Sequence, residues 1–222
     1  MLGRGKVLSA FNDGDASFIS DIASKRVDLI HKKLNDKNKD IYIDVSKYFA
    51  RGLHVGFQNI LPKFSLIHLI RDPILNMRSF LNRGKNFYLD NNSPDAVSNL
   101  LQMNPGSMKK SDLYLWSWCE MALRYESMKN NENVEKYVEI RTDQLNDSTY
   151  IDQCLQELGI KRCAVRVKNI CLNTNIDSGY KGTQVSKSDI ETFESFIDRV
   201  PVGIRNKIPF LRGYNPHLIQ KI

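Results

Sequence analysis

Apolar positions along this chain switch between two spacings, and the switches mark its elements. From Ser20 to Leu34, residues Ile22, Ala23, Ile30 and Leu34, with Ile19 just ahead, fall near one face at helical spacing, which predicts an amphipathic helix. Asp40 to Val45 instead alternates around Ile41, Ile43 and Val45, a strand period. A short helix is predicted from Leu53 to Leu61, ended by Pro62. Leu66 to Ile70 is continuously apolar apart from His68, as suits a parallel strand covered on both faces, and a helix follows it to about Leu89. His68 reads as a satisfied core histidine. Asp90 to Ser111 is rich in Asn, Ser, Pro and Gly and reads as a long excursion. Leu113 to Lys129 is a helix and Tyr137 to Ile140 a short strand. Two more helices are predicted. One runs from Tyr150 to Leu158 behind a Thr149/Asp152 capping box, the other to Arg199 behind Ser188/Glu191. The tail, with Pro201, Pro209 and Pro216, reads as an irregular wrap. Strands alternating with helices predict an α/β domain with a mostly parallel sheet between two helical layers.

The sharpest local signal is Leu66-Ile67-His68-Leu69-Ile70-Arg71-Asp72-Pro73, followed by Ser79. Asp72 is a good N-cap, and Pro73 stands at the first helical position, where proline is tolerated. Arg71 is thereby left at the carboxyl end of a strand, where ligands bind in open α/β sheets. Ser79 follows Asp72 by about two helical turns at roughly 3.6 residues each, so it shares a face with the turn. A guanidinium and a hydroxyl converging beside a helix start form a candidate anion site.

Composition narrows the partners. The 222 residues are expected to form one domain, and a 41% apolar fraction with mixed charge predicts a globular fold. A net charge of +7 favours an anionic partner. The basic residues are scattered, so specific nucleic-acid binding is not expected. Cys119, Cys154, Cys163 and Cys171 show no Cys-x-x-Cys spacing, which argues against zinc and suits a reducing, cytoplasmic setting. No run is long enough to span a membrane, and no secretory signal is visible.

In context, "PKFSLIHLIRDPILNMRSF" resembles the 3′-phosphate-binding segment of sulfotransferases that use 3′-phosphoadenosine 5′-phosphosulfate (PAPS). In that family a strand ends in Arg-Asp-Pro, and a serine follows the arginine after seven intervening residues, as Ser79 follows Arg71. "LYLWSWCEMALRYESM" and "KYVEIRTDQLND" are similar to the family's next helix and strand. Arg141, Asp143 and Leu145 match the latter, and Thr142 replaces its tyrosine. "SGYKGTQVSKSDIETFESF" is similar to the family's Arg-Lys-Gly loop, with Tyr180 in place of the arginine. The resemblance covers roughly residues 20 to 200.

The resemblance implies a sulfotransferase fold, PAPS as donor, and a hydroxyl or amine of a carbohydrate or small molecule as acceptor. Arg71, Ser79, Lys181 and Gly182 would hold the 3′-phosphate, and no metal is called for. Family members place the base for the transfer step just after the strand that precedes the Arg71 strand. The groups there are Asp44, Lys47 and, further on, His54. Asp44-Val45-Ser46-Lys47 departs from the family's Glu-Lys-Ser/Thr-Pro by placing the lysine after the hydroxyl. The family's first strand and its Gly/Ser/Thr loop, which cradles the 5′-phosphosulfate, find no match. The expected architecture is therefore that fold without its first strand and loop, in a chain incomplete at its start. Gly3-Arg4-Gly5-Lys6 reads as a solvated terminal segment. The alternative expectation is an inactive relative that binds an anionic ligand or a partner. A nucleotide-kinase reading is weakened by the lack of Gly-x4-Gly-Lys-Ser/Thr.

Overall fold

A computed structural model describes residues 4–46, 48–60, 63–83, 86–89, 92–160 and 184–221. The chain is an α/β protein in which helices dominate. Its described strands, β1 (Phe64–Ile70) and β2 (Val134–Arg141), pair in parallel with Ile70 opposite Arg141. Parallel pairing needs a long crossover, and α4 (Pro73–Asn82) and α5 (Lys110–Lys129) supply it. Alternation along the strands divides the core. Ile67, Val138 and Ile140 face Cys154 and Leu158 of α6 (Ser148–Glu157) and its end. Leu66 and Tyr137 face Met128 and Tyr125 of α5. Helices thus pack on both faces of the pair, although on the α6 side β1 keeps Leu69 52% exposed, short of the strand covered on both faces that its apolar run predicts. The largest cluster joins Ile74 and Met77 of α4, Trp116 of α5 and Phe196 of α7 (Lys187–Arg199).

Several local expectations hold, with shifted caps. Asp72 caps α4, accepting from the Ile74 and Leu75 amides at 2.9 Å each. Asp147, not Thr149, caps α6, and Ser186 with Asp189 forms the box ahead of α7 in place of Ser188 and Glu191. The helix after Arg71 stops at Asn82, short of Leu89. His68 is buried as expected, with Nδ1 3.1 Å from the Tyr137 hydroxyl. Part of the tail is helical, as α8 (Val202–Arg205).

One expected element does not form. Residues 40–45 form no strand, and Ile43 and Val45 are 60% and 90% exposed. Among the described residues no strand lies beside them to take up their backbone hydrogen bonds, so alternation alone cannot fix a strand. The segment lies along α2 (Ala16–Lys37) instead, through an ion pair between Asp44 and Arg26 and Lys33 over the Tyr42 ring. The start holds in part: Gly5 and Lys6 are exposed as expected, but they belong to a helix, α1 (Arg4–Asn12), that goes on to bury Val7, Leu8, Ala10 and Phe11.

Helix α1 and helix α2 pack on a π-turn over Phe49–Leu53 and on α3 (His54–Ile60). Two glycines permit that closeness. Gly52 has φ +136°, and a Cβ there would lie 2.9 Å from that of Phe11. A Cβ at Gly56 would lie 2.7 Å from the Ile19 carbonyl oxygen.

The two helical halves meet at a buried ion pair. Glu120 is 0% and Arg124 3% exposed, and Arg124 Nε donates to Glu120 Oε1 at 2.6 Å. Glu120 also accepts from the Leu100 and Leu101 amides at 3.1 and 2.8 Å. Arg124 reaches the Ala50 carbonyl and Asn99 Oδ1 at 2.8 and 2.7 Å, and its guanidinium lies 4.1 Å from the Phe11 ring centre. Removing one member leaves the other charge buried. Glu120→Ala is therefore expected to cost about 3–5 kcal/mol in urea unfolding, and adding Arg124→Met should recover part of that loss. A single-variant cost below about 1 kcal/mol, as for a surface pair, would contradict this.

Candidate functional site

The parallel register brings the Arg71 turn and the end of β2 to the same edge of the sheet. Arg71 is half-buried, and its carbonyl accepts from Trp118 Nε1 at 2.8 Å, which ties the turn to α5. Asp72 has two tasks. One oxygen caps α4, and the other accepts from the Tyr214 hydroxyl at 2.7 Å. Burial, then the Asp72 charge, pushes the Tyr214 phenol up from its ordinary pKa, so it stays a donor. Arg141 forms a two-point pair with Asp143 at 3.1 and 2.9 Å, and lies 5.2 Å from the Phe210 ring centre. The hydrogen bonds from Arg141 hold the Asp143 carboxyl below the usual carboxylate range.

Ser79 lies two turns into α4, is 3% exposed, and its Oγ accepts from Arg83 Nη2 at 3.2 Å. An oxygen that accepts from Arg83 still has its own hydrogen to donate. Ser79 and Arg83 thus form a linked pair further along α4 from the Arg71 turn, with the hydroxyl itself buried. Arg83 was not foreseen, although its spacing of four residues from Ser79 is a readable helical signal. Lys181 and Gly182 lie outside the described residues.

The residues expected to serve the transfer step do not gather here. Asp44 is engaged by Arg26, and Lys47 lies outside the described residues. His54 is buried against Phe11 and Phe49, with Nδ1 3.3 Å from the Phe49 carbonyl. A carbonyl can only accept, so Nδ1 carries the hydrogen and Nε2 is the acceptor. Burial, then the Arg124 charge, lowers the His54 pKa to about 3. The imidazole is neutral at ordinary pH and a weak proton acceptor. His54 instead lines a cleft of about 170 Å³ together with Arg124, Ser127 and Met128. Ten residues of α5 separate Trp118 from Met128, or about 15 Å at roughly 1.5 Å per residue. The cleft is thus well removed from the Arg71 turn.

Trp116 and Trp118, whose rings would suit stacking on a base or sugar, are core residues. Trp116 Nε1 donates to the Leu101 carbonyl at 2.7 Å, and Trp118 packs on Phe210. Tyr125 stacks on His68 at 4.3 Å between ring centres.

Compared with protein-family models, curated proteins and solved structures, the chain gives no match. Among the described residues no helix is long and apolar enough to cross a membrane.

The buried His54 sets a pH dependence. Its folded pKa of about 3 lies below the ordinary 6.5, so the unfolded chain binds the proton first as pH falls. The stability it confers is complete above about pH 6.5 and is lost progressively towards pH 3. Between pH 7 and 4 the wild type should lose on the order of 3 kcal/mol more than His54→Gln in urea unfolding. Parallel stability profiles for the two proteins would contradict this.

Proposed function

We propose that the protein is a sulfotransferase-like protein that binds a 3′-phosphorylated adenine nucleotide at the β1–α4 turn. The observation that carries the reading is the parallel β1–β2 register, with Ile70 opposite Arg141. It brings Arg71 and Arg141 to one end of the sheet, beside the capped start of α4, the helix that carries Ser79. Carboxyl edges of parallel strands are where α/β proteins bind ligands, and helix starts with arginines suit phosphate. In this reading Arg71 and Ser79 hold the 3′-phosphate, with Lys181 and Gly182 as further contacts. Arg83 orients the serine hydroxyl. The fold is then a sulfotransferase fold, the donor PAPS, and the acceptor a hydroxyl or amine of a carbohydrate or small molecule. The setting is a reducing compartment such as the cytoplasm.

Sulfuryl transfer asks a protein mainly to position donor and acceptor and to stabilise charge spreading over the moving group's oxygens. A base must also take the acceptor proton. Asp44 and Lys47 are the groups this reading assigns to that step. His54, neutral and enclosed beside the far end of α5, serves it poorly.

Two observations favour a second reading, a non-transferring domain that binds the nucleotide or a related anion. Asp44 is already paired with Arg26, and Arg4–Asn12 is a helix rather than a loop following a strand.

Calorimetry with 3′-phosphoadenosine 5′-phosphate tests the shared claim. Wild type should bind, and Arg71→Ala should bind at least tenfold more weakly, the worth of a charge-assisted contact of about 1.5–3 kcal/mol. No heat with wild type, or equal binding by both proteins, would overturn the assignment. Turnover of radiolabelled PAPS then separates transfer from binding alone.

A further inference from the structure

The cleft beside His54 is not accounted for by the nucleotide reading. Its floor is apolar, from Phe11, Ile19 and Met128. Its rim includes Ser98, Leu100 and Ser127; the latter two are exposed, so the cleft opens to solvent. Its volume, about 170 Å³, is that of a space holding a single aromatic ring. The polar groups in its wall decide what kind of ring. Arg124 would suggest an anion, but each of its three nitrogens already bonds within the protein, to Glu120, Ala50 and Asn99. Glu120 matches its charge. His54 has Nδ1 committed to the Phe49 carbonyl and keeps the Nε2 lone pair.

We infer that this cleft is a second binding site, for a small neutral molecule of one ring bearing a hydroxyl or N–H donor. The ring covers the apolar floor, and the donor pairs with Nε2 of His54. Neutral His54 keeps this acceptor at any physiological pH, since its pKa is about 3. The site is independent of the Arg71 turn, about 15 Å away along α5 at roughly 1.5 Å per residue.

The test is an NMR titration of the full chain at pH 7 with three probes: phenol, toluene and benzoate. Phenol should bind saturably, with affinity on the order of millimolar, as expected of so small a ligand. It should exceed toluene by roughly 2–12-fold, the worth of one neutral hydrogen bond. Benzoate should bind least. His54→Phe should equalise phenol and toluene. Should that variant fail to fold, Ser98→Phe at the partly exposed rim should weaken both ligands by obstructing the cleft. Arg71→Ala and added 3′-phosphoadenosine 5′-phosphate should leave phenol binding unchanged, whatever becomes of the nucleotide reading. Absence of saturable phenol binding, equal phenol and toluene affinities in wild type, tighter benzoate, or competition by the nucleotide would each overturn the inference.

Discussion

The Glu120–Arg124 pair holds together parts of the chain that are otherwise held by little regular structure. A charge moved from water into a protein interior costs several kcal/mol unless it is paired and its remaining hydrogen-bonding groups are met. Here the geometry meets those terms. Each carboxylate oxygen takes a backbone amide from the 100–101 segment, and each guanidinium nitrogen has its own acceptor. The consequence is geometric. Five of the partners, Ala50, Phe11, Asn99, Leu100 and Leu101, come from outside α5, so one buried pair sets where the N-terminal helices and the long excursion lie against it. Asn99 extends the network to the Ser93 carbonyl at 2.7 Å. The excursion is long and poor in regular structure, yet it is pinned at both ends of this segment.

Helix α5 therefore acts as the spine between two places. Near its middle, Trp118 fixes the Arg71 carbonyl and packs on Phe210, which itself lies under Arg141. Near its end, Arg124 and Met128 line the His54 cleft. The tail closes the first place through Tyr214 and Asp72, 142 residues apart in sequence. Asp72 can cap α4 and hold Tyr214 because its two oxygens point to different partners. The same carboxylate starts the helix and docks the C-terminal segment.

Much of this was legible where physics is local. Asp72-Pro73 announces a helix start through cap and φ preference, and it stands as read; the apolar run before it is a strand, but only its Leu66, His68 and Ile70 face is fully covered, and Leu69 on the other is 52% exposed. The caps at Asp147 and Ser186 lie within two residues of the expected ones, because several neighbouring Ser, Thr and Asp side chains compete for the same amides. What failed was non-local. Residues 40–45 have a strand's alternation but no neighbour among the described residues to pair with. Glu120 and Arg124 stand at the spacing of an ordinary exposed helical pair, and only the packing of Leu100, Leu101 and Phe11 makes them buried. His54, expected to serve the transfer step, is instead enclosed by α1 and the π-turn. Around the candidate site, the strand-end position of Arg71 and the helical position of Ser79 were readable from spacing. Tyr214 and Phe210 were not, since nothing local links the tail to the sheet edge.

The central claim is the proposal that the β1–α4 turn, through Arg71 and Ser79, recognises a 3′-phosphate. The most direct measurement is an amide NMR titration comparing 3′-phosphoadenosine 5′-phosphate with adenosine 5′-phosphate. The account predicts shifts concentrated from Arg71 to Arg83 and at Arg141, saturating only with the ligand that carries the 3′-phosphate. Equal responses to both nucleotides, or shifts centred elsewhere in the chain, would contradict it.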